Sequence, residues 1–222
     1  INLCIENQPV DIIQTGSWTK KATKEIKKVS QTNIVASSED KNFTYIPTLE
    51  KSMFNPNASF VYMCSNNTIF GTQFKTFPHT EDVPLVADMS SDILYSRIPV
   101  KKFGVIFAGA QKNIGPSGVT IVIIRKDLVE RVKDNTPSML MYKNHIESNS
   151  LYNTCPTFGI YMIKLVTDWI KSLGGIATIE KLNQDKAKLL YDAIDEDDFY
   201  YCPVNKDDRS LMNVVFRCKG GE

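Results

Sequence analysis

The amino-acid sequence predicts an α/β domain with a largely parallel central sheet, on two observations. Apolar runs at residues 84–89, 104–108 and 119–124 are continuous rather than alternating, which is typical of strands covered on both faces. Helical stretches lie between some of the predicted strands, an order typical of parallel sheets. The chain has 222 residues, of which 42% are hydrophobic. This length suffices for one large domain, or for one domain and part of another.

The first half of the chain supplies the other predicted strands of the sheet. A strand at residues 10–14 precedes a helix at residues 18–30, and we expect Ser17 to cap that helix. Two further strands are predicted at residues 33–36 and 59–64. The three apolar runs then follow in the order already given.

The second half changes to two long helices. Between residues 156 and 173, apolar and aromatic side chains recur at steps of three and four, which predicts an amphipathic helix that ends at Gly174 and Gly175. We expect its aromatic stripe, which includes Trp169, to belong to the core. A second helix is predicted at residues 178–194. Its expected inward-facing residues are Ile179, Leu182, Leu189, Leu190 and Ala193.

Two short strand-like runs, at residues 199–202 and 212–217, follow the second helix. A helix followed by strands indicates the start of a second, smaller α/β domain. The predicted organisation is therefore a large domain over residues 1–178 and the beginning of a small domain over residues 179–222.

Charge and cysteine content argue against several classes of protein. The 26 Lys and Arg residues nearly cancel the 25 Asp and Glu residues, which disfavours binding to nucleic acid or to an acidic membrane surface. No apolar run approaches the roughly 20 residues of a membrane span. Five cysteines without a C-x-x-C pair, and only two histidines, disfavour a metal site. No basic-then-apolar leader opens the chain, so we expect reduced thiols and a cytoplasmic location.

The most informative segment is Ala-Gly-Ala-Gln-Lys-Asn-Ile-Gly-Pro-Ser-Gly at residues 108–118, between two predicted buried strands. Lys112 is unusual there because burial of an ammonium group is costly unless the group is paired. The glycines leave room for a molecule to approach the backbone, and a lysine in such a pocket can condense with an aldehyde. A loop lysine that points to solvent is the alternative, and residue types alone favour it.

Asp88 ends an apolar run and shifts the interpretation toward a binding site. A carboxylate at that position needs a cationic partner, although a helix cap or a turn also accounts for an aspartate. The separation of 24 positions between Asp88 and Lys112 fits a strand, a connection and a second strand. Both side chains are then expected at the carboxyl edge of the sheet, where ligands bind. Pyridoxal phosphate requires such a pair, the lysine for its aldehyde carbon and the carboxylate for its ring nitrogen.

Several stretches resemble the phosphoserine aminotransferases, a family of fold-type I pyridoxal-phosphate enzymes. They include Val-Ala-Asp-Met-Ser-Ser-Asp-Ile-Leu at residues 86–94 and Phe-Gly-Val-Ile-Phe-Ala-Gly-Ala-Gln-Lys-Asn at residues 103–113. The likeness continues at residues 151–158 and 209–214 and covers nearly the whole chain. The implied fold is the large domain of a fold-type I transferase, joined to an incomplete small α/β domain.

The resemblance implies a role for four residues around the cofactor ring. Lys112 would hold pyridoxal phosphate as a Schiff base and later move the proton of the substrate α-carbon. Asp88 would pair with the ring nitrogen. Trp18 would stack on the ring, since an indole offers a large flat face. Thr68 would lie near the phenolic oxygen of the ring.

Three further matches concern the cofactor phosphate and the ring edge. Gln111 matches a ligand of the phosphate or of the ring edge. Asn153 and Thr154 match a pair that reaches the cofactor phosphate of the neighbouring subunit, from just before a helix whose free N–H groups favour an anion. The resemblance therefore implies a homodimer with shared active sites. The family usually carries glutamate where this chain has Asn67, next to the retained Thr68.

The implied reaction moves the amino group of L-glutamate to 3-phosphohydroxypyruvate and yields O-phospho-L-serine and 2-oxoglutarate, in serine biosynthesis. Nothing in the chain matches the Gly-rich leading segment or the trailing His and Arg of the family, so we expect it to be the central portion of such an enzyme. One alternative is a related fold-type I enzyme, such as an alanine–glyoxylate aminotransferase or a cysteine desulfurase, although a desulfurase would carry histidine at Trp18. The other is a truncated, non-catalytic paralogue.

Overall fold

A six-stranded sheet forms the centre of the computed structural model, which describes residues 1–221. In chain order, the strands are β1 (Val10–Gln14), β2 (Thr32–Ser37), β3 (Phe60–Cys64), β4 (Asn66–Asn67), β5 (Thr72–Gln73), β6 (Leu85–Asp88), β7 (Phe103–Gly109), β8 (Thr120–Ile124), β9 (Tyr200–Tyr201) and β10 (Arg217–Cys218). The α-helices are α1 (Ser17–Ile26), α2 (Tyr142–Glu147), α3 (Thr157–Ser172) and α4 (Ile176–Glu196).

The strand order of the central sheet is β2-β1-β3-β6-β7-β8. Every neighbouring pair is parallel except β7 and β8, which are antiparallel. The predicted α/β class with a mainly parallel sheet is confirmed. The expectation that both faces of the 119–124 run are covered is wrong, because β8 is an edge strand whose side chains are exposed or half-buried. The small pairs β4–β5 and β9–β10 are antiparallel.

Apolar side chains cover both faces of the inner strands. Ile12 and Tyr62 belong to one buried cluster, whereas their chain neighbours Ile13 and Val61 belong to a second cluster. Successive residues of a strand point to opposite faces, so the two clusters lie on opposite sides of the sheet. Each fully buried side chain of this kind stabilises the fold by about 1.5–3 kcal/mol. The carboxyl edge of the sheet, where Asp88 ends β6, is therefore held on a rigid base.

The start of α1 differs from the prediction. Ser17 is the first helical residue and not the cap, and the helix ends at Ile26 rather than near residue 30. The hydroxyl oxygen of Thr19 accepts the backbone N–H groups of Thr15 and Gly16, both at 3.1 Å. Because Thr19 makes these bonds, the turn at Thr15 and Gly16 is fixed to the first turn of α1.

The helix α3 agrees with its predicted span and ends as expected. Gly174 and Gly175 both have positive φ values, 103° and 82°, which favour glycine. The expectation that the aromatic stripe belongs to the core is wrong for this chain, since Phe158 is 72% exposed and Trp169 is 56% exposed. The exposed face of α3 is therefore largely apolar.

The buried face of α4 is not the predicted one. Its buried residues are Ile179, Asn183, Ala187, Tyr191 and Ile194. The other four residues expected to face inward are exposed, namely Leu182, Leu189, Leu190 and Ala193. The predicted boundary after residue 178 falls in the first turn of this helix, and the division into two domains stays a prediction. Within residues 1–221, no helix combines the length and the hydropathy needed to cross a bilayer.

Candidate active site

Four of the predicted site residues leave the sheet at the ends of neighbouring strands. Trp18 follows β1, Thr68 follows β3, Asp88 ends β6 and Lys112 follows β7. These strands are adjacent and parallel, so their carboxyl ends share one edge of the sheet. The structure therefore brings Asp88 and Lys112 to the same edge, as their spacing indicates.

The amine of Lys112 lies between two of these side chains. Its Nζ donates a hydrogen bond to Thr68 Oγ1 at 2.9 Å and lies 5.2 Å from the ring centroid of Trp18. The Lys112 side chain is exposed in this chain, but the turn that carries it is anchored by the fully buried Ile114. An amine held in this way has a defined direction, in contrast to a loop lysine that is free in solvent.

The carboxylate of Asp88 accepts hydrogen bonds at one of its two oxygens, Oδ1. Ser90 donates its backbone N–H at 2.9 Å and its hydroxyl at 2.6 Å, both to Asp88 Oδ1. The same hydroxyl oxygen accepts the N–H of Gly109 at 3.0 Å, three residues before Lys112. The described part of the chain, residues 1–221, provides no hydrogen-bond donor to Asp88 Oδ2. That oxygen is available to a ligand.

The pKa of the Cys64 thiol is shifted by burial and by the charged groups at this edge of the sheet. Burial raises the pKa of its thiol well above the usual value, the carboxylates of Asp88 and Asp92 raise it further, and the amine of Lys112 lowers it. Both the carboxylate and the amine of the candidate site thus act on one buried group. The thiol stays protonated, so it is not the reactive cysteine that a desulfurase would need.

The other three predicted ligands form no hydrogen bond with the Lys112 amine within residues 1–221. Gln111 is exposed, and its side chain folds back over the backbone of Gly109. Asn153 and Thr154 lie on the exposed segment before α3, where Asn153 Nδ2 donates to the backbone oxygen of Thr154 at 3.1 Å. No hydrogen bond within residues 1–221 joins these two residues to the surroundings of Lys112. Their expected role at a neighbouring subunit stays a prediction.

Sequence reasoning missed a group of buried polar residues behind this edge. Asp92, only 1% exposed, accepts hydrogen bonds from Ser65 Oγ at 2.5 Å and from Gln73 Nε2 at 3.1 Å. Asn66 Nδ2 donates to Ser91 Oγ at 2.8 Å. The polar residues that directly follow the apolar strand β3 were the available signal in the sequence, since polar groups next to a buried strand need partners.

The stability of the fold should depend on the charge of Asp92. Burial raises the pKa of this carboxyl from 3.8 to about 6. The protonated form is therefore favoured in the folded state, and its contribution is full below about pH 4 and lost as the pH rises through 6. Relative to Asp92→Asn, which does not titrate, the wild type should lose on the order of 2 kcal/mol of unfolding free energy between about pH 4 and pH 7.

Urea unfolding of the two cofactor-free proteins across this pH range measures the difference. The exposed Asp82 provides a matched control, because Asp82→Asn should leave the pH profile of the wild type unchanged. Parallel stability curves for the wild type and Asp92→Asn would show that the buried carboxyl does not titrate in this range.

A mainly parallel sheet flanked by helices matches the fold of the pyridoxal-phosphate-dependent aminotransferases. The chain belongs to the class-V aminotransferase family, whose model matches residues 4–221. The family resemblance and the predicted fold-type I fold are both confirmed.

Named relatives agree with this assignment. The chain is 54% identical over 217 residues to the phosphoserine aminotransferase of Geobacillus kaustophilus, a match that covers 97% of this chain and 60% of the relative. It is 50% identical over 223 residues to the chloroplastic phosphoserine aminotransferase 1 of Arabidopsis thaliana, which covers 100% of this chain and 52% of the relative. The chain thus spans 60% or less of the length of these two proteins.

Solved structures give the same result. The phosphoserine aminotransferase from Bacillus circulans subsp. alkalophilus superposes with a TM-score of 0.93 at 46% identity, over 97% of this chain and 60% of that one. The pyridoxal-phosphate-bound enzyme from Trichomonas vaginalis gives 0.90 at 37% identity, over 98% and 61%. A pyridoxamine–pyruvate aminotransferase from Mesorhizobium loti, at 15% identity and a TM-score of 0.83, shares the fold alone.

Proposed function

We propose that this chain forms the cofactor-binding centre of a phosphoserine aminotransferase. The reaction moves the amino group of L-glutamate to 3-phosphohydroxypyruvate and gives O-phospho-L-serine and 2-oxoglutarate. The observation that carries the proposal is the Lys112 amine, which is bonded to Thr68 and lies beside Trp18. Identity of about half the residues with phosphoserine aminotransferases supports the choice of substrate.

The residues at the sheet edge fit pyridoxal phosphate. When bound, this cofactor supplies an aldehyde that condenses with amines and a ring that withdraws electrons from the substrate α-carbon. Lys112 provides the amine, and the indole of Trp18 offers a flat surface to the ring. Asp88 Oδ2, which lacks a donor within residues 1–221, is available to accept the N–H of the ring nitrogen. Thr68 places its hydroxyl group within hydrogen-bond distance of the Lys112 amine.

Two side chains of this centre do the chemical work in the proposal. Lys112 Nζ would provide the nucleophile for the cofactor aldehyde, and the same amine would serve as the base that takes the α-proton of the substrate and returns it. Asp88 stabilises the positive charge of the ring nitrogen, and its two bonds from Ser90 keep its orientation without further reorganisation. Trp18 would cover one face of the cofactor ring.

A homodimer with shared active sites is part of the proposal. Asn153 and Thr154 are exposed and form no hydrogen bond with the Lys112 site of their own chain within residues 1–221, which fits a role in the site of a second copy. The exposed apolar surface of α3, with Phe158 and Trp169, supports an interface nearby. The free cysteines are consistent with the predicted cytoplasmic location.

Spectroscopy and substrate choice test the function in the full-length protein. Addition of pyridoxal phosphate should produce a visible absorbance, which borohydride should remove while it leaves the cofactor permanently attached to Lys112. With glutamate as donor, the rate with 3-phosphohydroxypyruvate should exceed the rates with pyruvate or glyoxylate at least about a hundredfold. A preference for glyoxylate would assign a different class-V reaction, and a protein that never forms the lysine adduct would be a non-catalytic paralogue.

A further inference from the structure

One buried amide connects the hairpin that carries Thr68 to the segment that carries Trp18. Asn67 is 1% exposed, and its Nδ2 donates to Thr72 Oγ1 at 2.9 Å and to Thr15 Oγ1 at 3.2 Å. Thr72 lies on the returning strand of the same hairpin, whereas Thr15 begins the connection from β1 to α1. The side chain therefore bridges two segments that are 52 positions apart in the sequence.

The backbone at Gly16 packs directly against this amide. A Cβ atom added at Gly16 would lie 2.7 Å from Asn67 Oδ1 and 3.2 Å from its Cγ, closer than a side chain tolerates. The φ value of Gly16 is 170°, an extended conformation open to any residue, so close approach and not backbone strain requires glycine here. Two independent contacts, a hydrogen bond and a close packing, thus hold Asn67 against the Thr15–Gly16 turn.

Trp18 is coupled to the Thr15–Gly16 turn through the first turn of α1. The hydroxyl of Thr19 accepts the N–H groups of Thr15 and Gly16, so the turn and the first turn of α1 form one rigid unit. Trp18 belongs to that unit. On the other side, Thr68 directly follows Asn67 in the chain. The position of Asn67 therefore sets the separation between the indole and the hydroxyl that flank the Lys112 amine.

We propose that Asn67 is a positioning residue, which through Thr15 fixes Trp18 relative to Thr68 and so shapes the place of the cofactor ring beside Lys112. This inference rests on the proposed function. It makes no use of Asn67 as a ligand, because the amide is buried and its hydrogen bonds go to the two threonine hydroxyls and to the hairpin backbone. It predicts that a change at Thr15, which lies outside the hairpin of Thr68, alters cofactor binding.

The closing experiment compares three isosteric or conservative threonine variants in the holoenzyme. Thr15→Val removes the hydroxyl that bonds Asn67 and keeps the shape, whereas Thr15→Ser keeps the hydroxyl. Thr23→Val is the matched control, because its hydroxyl bonds only within α1, to the backbone oxygen of Thr19 at 2.8 Å. Thr15→Val should raise the Kd of pyridoxal phosphate about threefold to tenfold, while Thr15→Ser and Thr23→Val stay within about twofold of the wild type.

A second readout needs no cofactor. The chain has two tryptophans, so the substitution Trp169→Phe leaves Trp18 as the sole tryptophan emitter in it. In that background, Thr15→Val should change the emission and the acrylamide quenching of Trp18, and Thr23→Val should not. Equal behaviour of Thr15→Val and Thr23→Val in both readouts would overturn the positioning role. A wild type that forms no lysine adduct would instead refute the proposed function, and the fluorescence result would still decide the inference.

Discussion

Substitution of Lys112 by alanine should lower kcat at least about a thousandfold and remove the borohydride-stable label from the protein. The Lys112 amine has a hydroxyl partner in Thr68 and lies beside the indole of Trp18, so the substitution removes both the proposed nucleophile and the proposed base. Rapid-scan absorbance with glutamate and mass spectrometry after borohydride treatment measure the two effects. The fold should be unaffected, since the side chain is exposed and Ile114 anchors its turn.

A lysine at the opposite end of the same strand provides the control. Lys101 is exposed and precedes β7, whereas Lys112 follows it, so Lys101→Ala should keep full activity and the label. Retention of the label in Lys112→Ala would move the reactive amine to another lysine and remove the central assumption of the proposed mechanism.

Substitution of Asp88 by asparagine should lower kcat about a hundredfold or more, although the cofactor remains attached through Lys112. The amide keeps the size of the side chain and can still accept the two bonds from Ser90 at Oδ1. It removes the negative charge that stabilises a protonated ring nitrogen. Steady-state kinetics should therefore show a fall in kcat that exceeds any change in KM, because the substrate does not contact this carboxylate in the proposed site.

Asp82→Asn is the comparison for this variant, as Asp82 is exposed and lies before β6, at the other end of that strand. It should behave as the wild type. A normal kcat in Asp88→Asn would mean that the ring nitrogen does not depend on a charged partner, and it would leave Asp88 with the turn role that its residue type also allows.

Much of the fold could be predicted from the sequence because buried parallel strands leave a local signature. The six strands of the sheet each agree with a predicted apolar run to within about two residues. The faces of α3 and α4 could not be predicted to the same degree. The periodicity of a helix indicates that one face is apolar, but it does not indicate which element covers that face. Phe158 and Leu189 lie on apolar faces and are nevertheless exposed in this chain.

The candidate site divides in a similar way. Lys112 and Asp88 could be singled out as a pair, because each is a charged group next to a buried strand and their separation of 24 positions places both at one edge of the sheet. Trp18 and Thr68 followed only from the family resemblance, because each alone is an ordinary residue. Asn67 was missed, since its bond to Thr15 joins two segments distant in the sequence and has no local signal.

The serine next to Asp88 gives the site a fixed polarity. A hydroxyl group carries one proton, and Ser90 donates that proton to Asp88 Oδ1, so its oxygen can only receive the N–H of Gly109. The dipoles along this line therefore all point the same way, from the strand that leads to Lys112 toward the acid. Only another hydroxyl group can both donate to Asp88 and accept the N–H of Gly109. Threonine is therefore the substitution at Ser90 that keeps both hydrogen bonds and the direction of the dipoles.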